Sequence, residues 1–490
     1  LSPWLLFTCV LVYFALLFAV AWRTSRGADN QSFFVGNRNS AWPLVAFGMI
    51  GTSLSGVTFI SVPGAVGASG FHYWQIMMGH LLGYAVVAWV LLPLYYRLGL
   101  VSIYGWIEDR LGPAALRMAA GFFILSRTLG ATARLYLVVR ILQDVILEQL
   151  GLSFGVTAAV MVLMILLYTW RGGVKTIVWT DTLQTAGMLF GLGACIVFIL
   201  HALDLSGWQA LLQMQEQGLS RVWGTEPAAK EYWLKQLLAG AAIAIAMTGM
   251  DQEMMQKNIS VRTLRGSQLN MLCMALAMSV VVLAFLFLGG LLMLFAQQAG
   301  MTERGDRLFP AVVMGHLPAL IQLIFILALI SALFPSADGA LTALTSSTCN
   351  DMLAFGRRSD WTPAQQESIR KQVHLAYAVV FMLLVMGFRW LDDPSMIGLI
   401  LKVASYTYGP LLGLFAFGWW TRRPVRDPWV PLVTVLAPLA CGVLDATQPM
   451  IFETWRIGLE LLLLNGALVF LGLWCISHPP DQVVSVTFDK

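Results

Sequence analysis

Gly51-Thr52-Ser53-Leu54-Ser55-Gly56-Val57-Thr58 lies in the middle of an apolar segment running from about residue 41 to residue 62. The flanks are long and apolar enough for a membrane helix, but this run is not good helix. Serine and threonine compete with the backbone for hydrogen bonds, and glycine costs backbone entropy. In lipid, every carbonyl freed from a helix must find another partner. Two readings follow. The run is an unwound stretch that lines a cavity and offers carbonyls to a cation, or it is a small-residue face for close helix packing. On the first reading Ser53, Ser55 and Thr58 are candidate solute contacts.

The rest of the chain supplies the setting. Apolar residues make up 58% of the 490 and charged residues only 11%, with mean hydropathy +0.74. Soluble domains average about 25% charged residues. Segments of roughly 20 apolar residues, the length of a membrane crossing, fall near 3–23, 41–62, 74–98, 116–147, 152–169, 176–201, 233–256, 267–298, 318–350, 370–390, 395–421, 428–446 and 455–476. The chain therefore reads as an all-α integral membrane protein of about 13 transmembrane helices, with the lipid bilayer as its surroundings. The 318–350 segment is long enough to hold a break. The first segment lacks a small-residue cleavage site and reads as a retained helix rather than a signal peptide. The formal charge of +4 gives no reason to expect a nucleic-acid partner, and nothing points to an obligate protein partner. The six cysteines lie in or beside apolar segments without metal-ligand spacing and read as free buried thiols.

Sorting the 30 basic residues by alternate loops gives 19 on one side, 7 on the other and 4 inside spans. The positive-inside rule then puts the N-terminus outside and the C-terminus in the cytoplasm of a plasma (inner) membrane. Five spans separate the segment at 41–62 from the segment at 233–256, so the second enters from the opposite side. An odd-numbered unit in tandem inserts upside down, the topology of inverted-repeat transporters. The two halves show no sequence similarity, so the expectation rests on topology. The organisation expected is one transporter domain over 1–478, core repeats at about 41–201 and 233–421, and a polar cytoplasmic tail at 479–490.

A second signal is Ala332-Leu333-Phe334-Pro335-Ser336-Ala337-Asp338-Gly339. Proline removes a backbone donor and exposes a carbonyl one turn earlier. Ser336 offers a hydroxyl oxygen. Asp338 is an acid deep in an apolar span, at a cost of about 2.5–3.5 kcal/mol or more, and such residues face a partner or an ion path. Sodium is a hard cation that prefers oxygen ligands, as other hard cations do.

The stretch Tyr168-Thr169-Trp170-Arg171-Gly172-Gly173-Val174-Lys175-Thr176-Ile177-Val178-Trp179-Thr180-Asp181-Thr182-Leu183-Gln184 resembles the sodium:solute symporter family. So do Asp251-Gln252 with Gln256-Lys257, Thr345-Ser346-Ser347 running into Asn350-Asp351, and Tyr408-Gly409-Pro410-Leu411-Leu412-Gly413-Leu414-Phe415. The resemblance implies a leucine-transporter-type five-plus-five inverted-repeat core and Na+ as the bound ion. It implies a sodium site made of the carbonyls of Gly51, Leu54 and Ala332 and the hydroxyl of Ser336. Pro335 replaces one of two adjacent hydroxyls found in many members. Asp181 matches an acid close to this ion, and a second sodium would use Asp181 with Asp338. For the solute, the sialic acid members use an arginine where Gly130 stands here, with Arg127 and Arg134 each about one turn away. His80 matches a substrate-facing glutamine. The run Ala241 to Met247 departs from the polar pattern of the sugar members. Lys402, a lone ammonium among apolar residues, calls for an anion: a solute carboxylate, Asp338 or Asp181. Arg134 and Arg140 are expected to snorkel or pair locally.

Sodium-coupled uptake of a small organic solute (a sugar, sialic acid or another organic anion) by alternating access is the function these features imply. The alternative is proton coupling on the same fold. An enzyme is not expected, because the six histidines are scattered and without metal spacing. A channel would call for a pore lined by repeated polar positions rather than broken helices.

Overall fold

The computed structural model describes residues 3–26, 29–148, 150–170, 173–357, 360–390, 396–452 and 454–479. Among them the chain is helical, with isolated bridges and no sheet. The tail beyond Pro479, and Arg171 and Gly172 of the family motif, lie outside the described residues.

Thirteen apolar helical segments follow one another: α1 (Pro3–Thr24), α2 (Trp42–Ser69), α3 (Tyr73–Leu98), α4 (Pro113–Leu142), α5 (Phe154–Thr169), α6 (Val174–Ala202), α7 (Trp233–Gly249 and Gln252–Ile259), α8 (Leu264–Gln298), α9 (Ala319–Ser347), α10 (Pro363–Phe388), α11 (Met396–Trp420), α12 (Val430–Ile451) and α13 (Leu461–Cys475). Ten are long and apolar enough to cross a membrane, and α7, bent by 64° at its break, is an eleventh. The remaining two, α5 and α13, have 16 and 15 residues, short of the roughly 20 needed for a perpendicular crossing. The thirteen segments of the sequence reading are thus ten or eleven full spans and two shorter apolar helices.

Burial sorts the spans. α2 is 89% buried in its apolar window, whereas α1, α10 and α12 are 22% buried and present their side chains outward. Small residues explain the difference: Gly48, Gly51, Gly56 and Gly64 let α2 lie directly against its neighbours, as close helix approach in membranes requires. α2 packs on α6, α8 and α9, and α3 packs on α7. Cys195, Cys349 and Cys441 are free and buried; Cys273 and Cys475 are free but exposed on outward faces, against the expectation that all six are covered.

The interruptions fall at two places. α2 carries a single non-helical residue, Ser55, at φ 52°, ψ 167°. α7 passes through a π turn (Ile245–Gly249) and then loses helical geometry, and Asp251 starts the second half by accepting the Met254 N–H at 3.1 Å. The break allowed for near Pro335 is absent: α9 runs without interruption from Ala319 to Ser347. Pro335 removes one donor, which costs the Ser331 carbonyl its intrahelical partner, but the residues around it, 328–347, are buried and the helix continues through them.

Candidate functional site

Ser55 is the geometric centre of the site. Its backbone occupies a region that suits glycine, at a cost on the order of 1–3 kcal/mol, and such strain collects at functional positions. A residue turned this way disturbs the ladder on which the carbonyls of the preceding turn, Gly51 to Leu54, depend. On either side of the break the helix is clasped. The Gly51 N–H donates to Thr185 Oγ1 of α6 at 3.2 Å, and a Cβ at Gly51 would lie 2.3 Å from that oxygen. A Cβ at Gly56 would lie 2.8 Å from Val138 of α4 and 3.5 Å from the Leu333 backbone of α9. The run is therefore interrupted at one residue, and its glycines are close-contact positions. Ala332 and Ser336 are fully buried on α9, which packs against α2. Ser336 Oγ donates to the Leu333 carbonyl at 2.9 Å, which leaves its lone pairs as acceptors.

A buried charge network adjoins the break. Lys257, in the second half of α7, brings Nζ to 2.7 Å from Asp181 Oδ2 and 2.7 Å from Thr52 Oγ1, and Thr52 Oγ1 lies 3.0 Å from the same Asp181 oxygen. Lys257 Nζ is also 3.7 Å from Glu253 Oε1. Glu253 in turn holds the Arg127 guanidinium of α4. Arg127 lies 3.7 Å from Asp251, whose Oδ2 accepts from the Tyr408 hydroxyl of α11 at 2.5 Å. Asp338 accepts from the Tyr168 hydroxyl at 2.6 Å and from the Gly339 N–H at 2.5 Å. Lys257 directly follows the apolar segment at 233–256, where hydropathy alone puts it in a loop; the structure buries it, 2% exposed. The roles of Glu253 and of the Arg127 pairing likewise emerge only from the structure. The local signal was there, an acid and a base spaced i, i+4 directly after a break, but their partners are remote in sequence.

Beside the network lies a cavity with about 100 Å³ open to water. Ser53, Ser55 and Thr58 of α2 line it, with Tyr73, His80 and Tyr84 of α3 and Arg127 and Arg134 of α4. His80 is buried and stacks on Tyr84 with ring centres 6.0 Å apart. Arg134, expected to snorkel or pair locally, instead faces this cavity and a smaller one beside it, and forms no ion pair among the described residues. Arg140 does pair locally, 3.9 Å from Asp144.

Lys402 goes elsewhere. Its ammonium sits 2.8 Å from Asp445 of α12 and is 61% exposed, whereas its neighbours Ile400 and Leu401 line the cavity. Ile397, Ile400 and Leu401, spaced i, i+3 and i+4, form the face of α11 that lines the cavity, and Lys402 falls off that face. The anion it called for is Asp445, not Asp181, Asp338 or a cavity solute.

No cluster of histidine, cysteine and acidic residues suited to a metal ion occurs among the described residues. Oxygen donors at a helix break fit a hard monovalent cation better.

Comparison with known proteins bears on the family and the fold. The chain is 22% identical to the sodium/sialic acid symporter of Proteus mirabilis, over 87% of this chain and 86% of that one. It is 25% identical to the sodium-dependent multivitamin transporter of Oryctolagus cuniculus and 24% identical to the human sodium/iodide cotransporter, and spans 62% and 61% of their lengths. Among solved structures, a Na+-coupled sialic acid symporter in a substrate-bound outward-open state superposes with a TM-score of 0.83 at 18% identity, over 96% of both chains. A nucleobase-cation-symport-1 family transporter in a closed conformation gives 0.52 at 14% identity, over 91% of this chain and 92% of that one. These are transporters of the leucine-transporter fold, not enzymes. The Sodium:solute symporter family profile matches residues 33–426, so the chain belongs to the sodium:solute symporter family.

Proposed function

We propose that this protein imports a small organic anion together with sodium, by alternating access across the plasma (inner) membrane. Sodium-coupled solute symport is the activity of the family; the anion, the ion ligands and the orientation are our reading. The observation that carries the choice of solute is Arg134, a guanidinium facing the cavity without an ion pair among the described residues. Hydroxyls of Ser53, Ser55 and Thr58 stand in the same lining, ready for the polar remainder of a carboxylate solute. A planar guanidinium suits a carboxylate through two parallel hydrogen bonds. His80 is a further contact; Lys402 is not part of this proposal.

Sodium binds the carbonyls of Gly51, Leu54 and Ala332 and the hydroxyl of Ser336, bridging the break in α2 to the continuous α9. Binding there stiffens the run around Ser55, whose neighbours form the solute cavity. Two repeats, about 41–201 and 233–421, rock about the site. Their first spans, α2 and α7, are both broken, in keeping with a midplane site at a repeat interface. The excess of basic residues supports an outside N-terminus and a cytoplasmic C-terminus.

The test is uptake into proteoliposomes under a sodium gradient, comparing candidate acids, sialic acid among them, with their neutral amides. We expect sodium-dependent uptake of an acid and little of its amide, with Arg134→Gln raising KM for the acid at least tenfold. Uptake driven equally well by a proton gradient would overturn the ion assignment, and equal uptake of the amide would overturn the solute class.

A further inference from the structure

Two buried carboxylates stand near the proposed sodium cage, and both are engaged by the protein itself. Asp338 has a phenol on one oxygen and a backbone N–H on the other. Asp181 has the Lys257 ammonium at 2.7 Å. That ammonium carries the same charge as sodium, and its three donors reach Asp181, Thr52 and the neighbourhood of Glu253.

We propose that Lys257 is a tethered cation standing in for a second sodium ion, so that the protein moves one sodium per solute. The inference rests on the symport reading above. Asp181 Oδ1 and Glu253 Oε1 are buried and have no hydrogen-bond partner. They are the oxygens a free cation would seek, and the lysine neutralises them without occupying them. A sodium ion on Asp181 Oδ1 would lie about 4 Å from the ammonium, and like charges at that distance oppose binding by roughly a thousandfold at the effective dielectric of a protein. Because the charge is covalently held, it is never released to the cytoplasm. Removing it would leave Asp181 without an ionic partner and Glu253 with Arg127 alone, a site for a second sodium beside the cage.

The experiment counts ions. Binding of radioactive sodium to the purified protein, and the sodium dependence of uptake, are measured for wild type, Lys257→Arg and Lys257→Met. We expect one sodium per chain and a Hill coefficient near one for wild type and Lys257→Arg, and two ions with a Hill coefficient approaching two for Lys257→Met. A purely structural lysine predicts no gain of an ion, so a folded Lys257→Met that still binds one would overturn the proposal. Should that variant not fold, wild type decides: two ions per chain overturn the idea and one supports it. Absence of any sodium effect on wild-type uptake would overturn the symport reading instead.

Discussion

The two broken spans are built from opposite chemistry. α2 is interrupted by a single uncharged residue among glycines and hydroxyls, and the atoms proposed to bind sodium there are backbone carbonyls. α7 is interrupted by a π turn, and its second half carries Asp251, Glu253 and Lys257, whose charges reach α4, α6 and α11. The first break carries no ion pair, so a rearrangement of it strands no charge in the interior. The second is fixed by ion pairs whose separation would strand charges in a dry interior. One supplies the adaptable half of the site and the other the rigid half.

Removing charges from α7 tests the rigid half and should give the largest effect. Glu253→Ala leaves Arg127 and Lys257 without a shared partner. Breaking a buried pair in this way costs about 3–5 kcal/mol, so thermal unfolding in detergent should show a severely destabilised or unfolded protein. A variant as stable as wild type would break the contrast. Crowding α2 comes next. A methyl at Gly51 meets Thr185 Oγ1, and overpacking of this kind costs about 1–3 kcal/mol. Gly51→Ala should abolish sodium-dependent uptake, and Thr185→Ala in the same chain should restore part of it. Relieving the strain at Ser55 is smaller and of opposite sign. Ser55→Gly should stabilise the protein by about 1 kcal/mol and lower the sodium concentration needed for half-maximal uptake, because glycine holds the interrupted form at φ 52° without strain. Smallest of all is Lys402→Met: an exposed ion pair is worth about 0–1 kcal/mol, and KM for the solute should stay as in wild type.

The same contrast explains what one chain could disclose. The break in α2 was legible because its cause is local: the residue types that disturb a helix are the residues at the break. The helical spans were legible through hydropathy for the same reason. In sequence α7 reads as a plain span ending near residue 256, with Lys257 beyond it, because hydropathy ends a span where charges begin. What makes those charges affordable is Asp181 and Arg127, more than seventy and more than a hundred residues earlier, and their pairing exists only in three dimensions. Lys402 shows the limit from the other side. Its need for an anion was correct chemistry, but helical phase chose Asp445 over the cavity. Pro335 suggests a break, yet α9 continues through it within a buried stretch.

The fixed ammonium of Lys257 has a bearing on energetics. When one sodium ion accompanies one carboxylate, the loaded carrier translocates no net charge. The roughly 2.3 kcal/mol that 100 mV offers each cation then cancels against the anion. Accumulation would follow the sodium concentration ratio alone, about tenfold for a tenfold gradient, and would persist in a depolarised cell. A lysine held where an ion could travel would make the protein a voltage-indifferent scavenger, giving up steepness of accumulation for independence from the membrane potential.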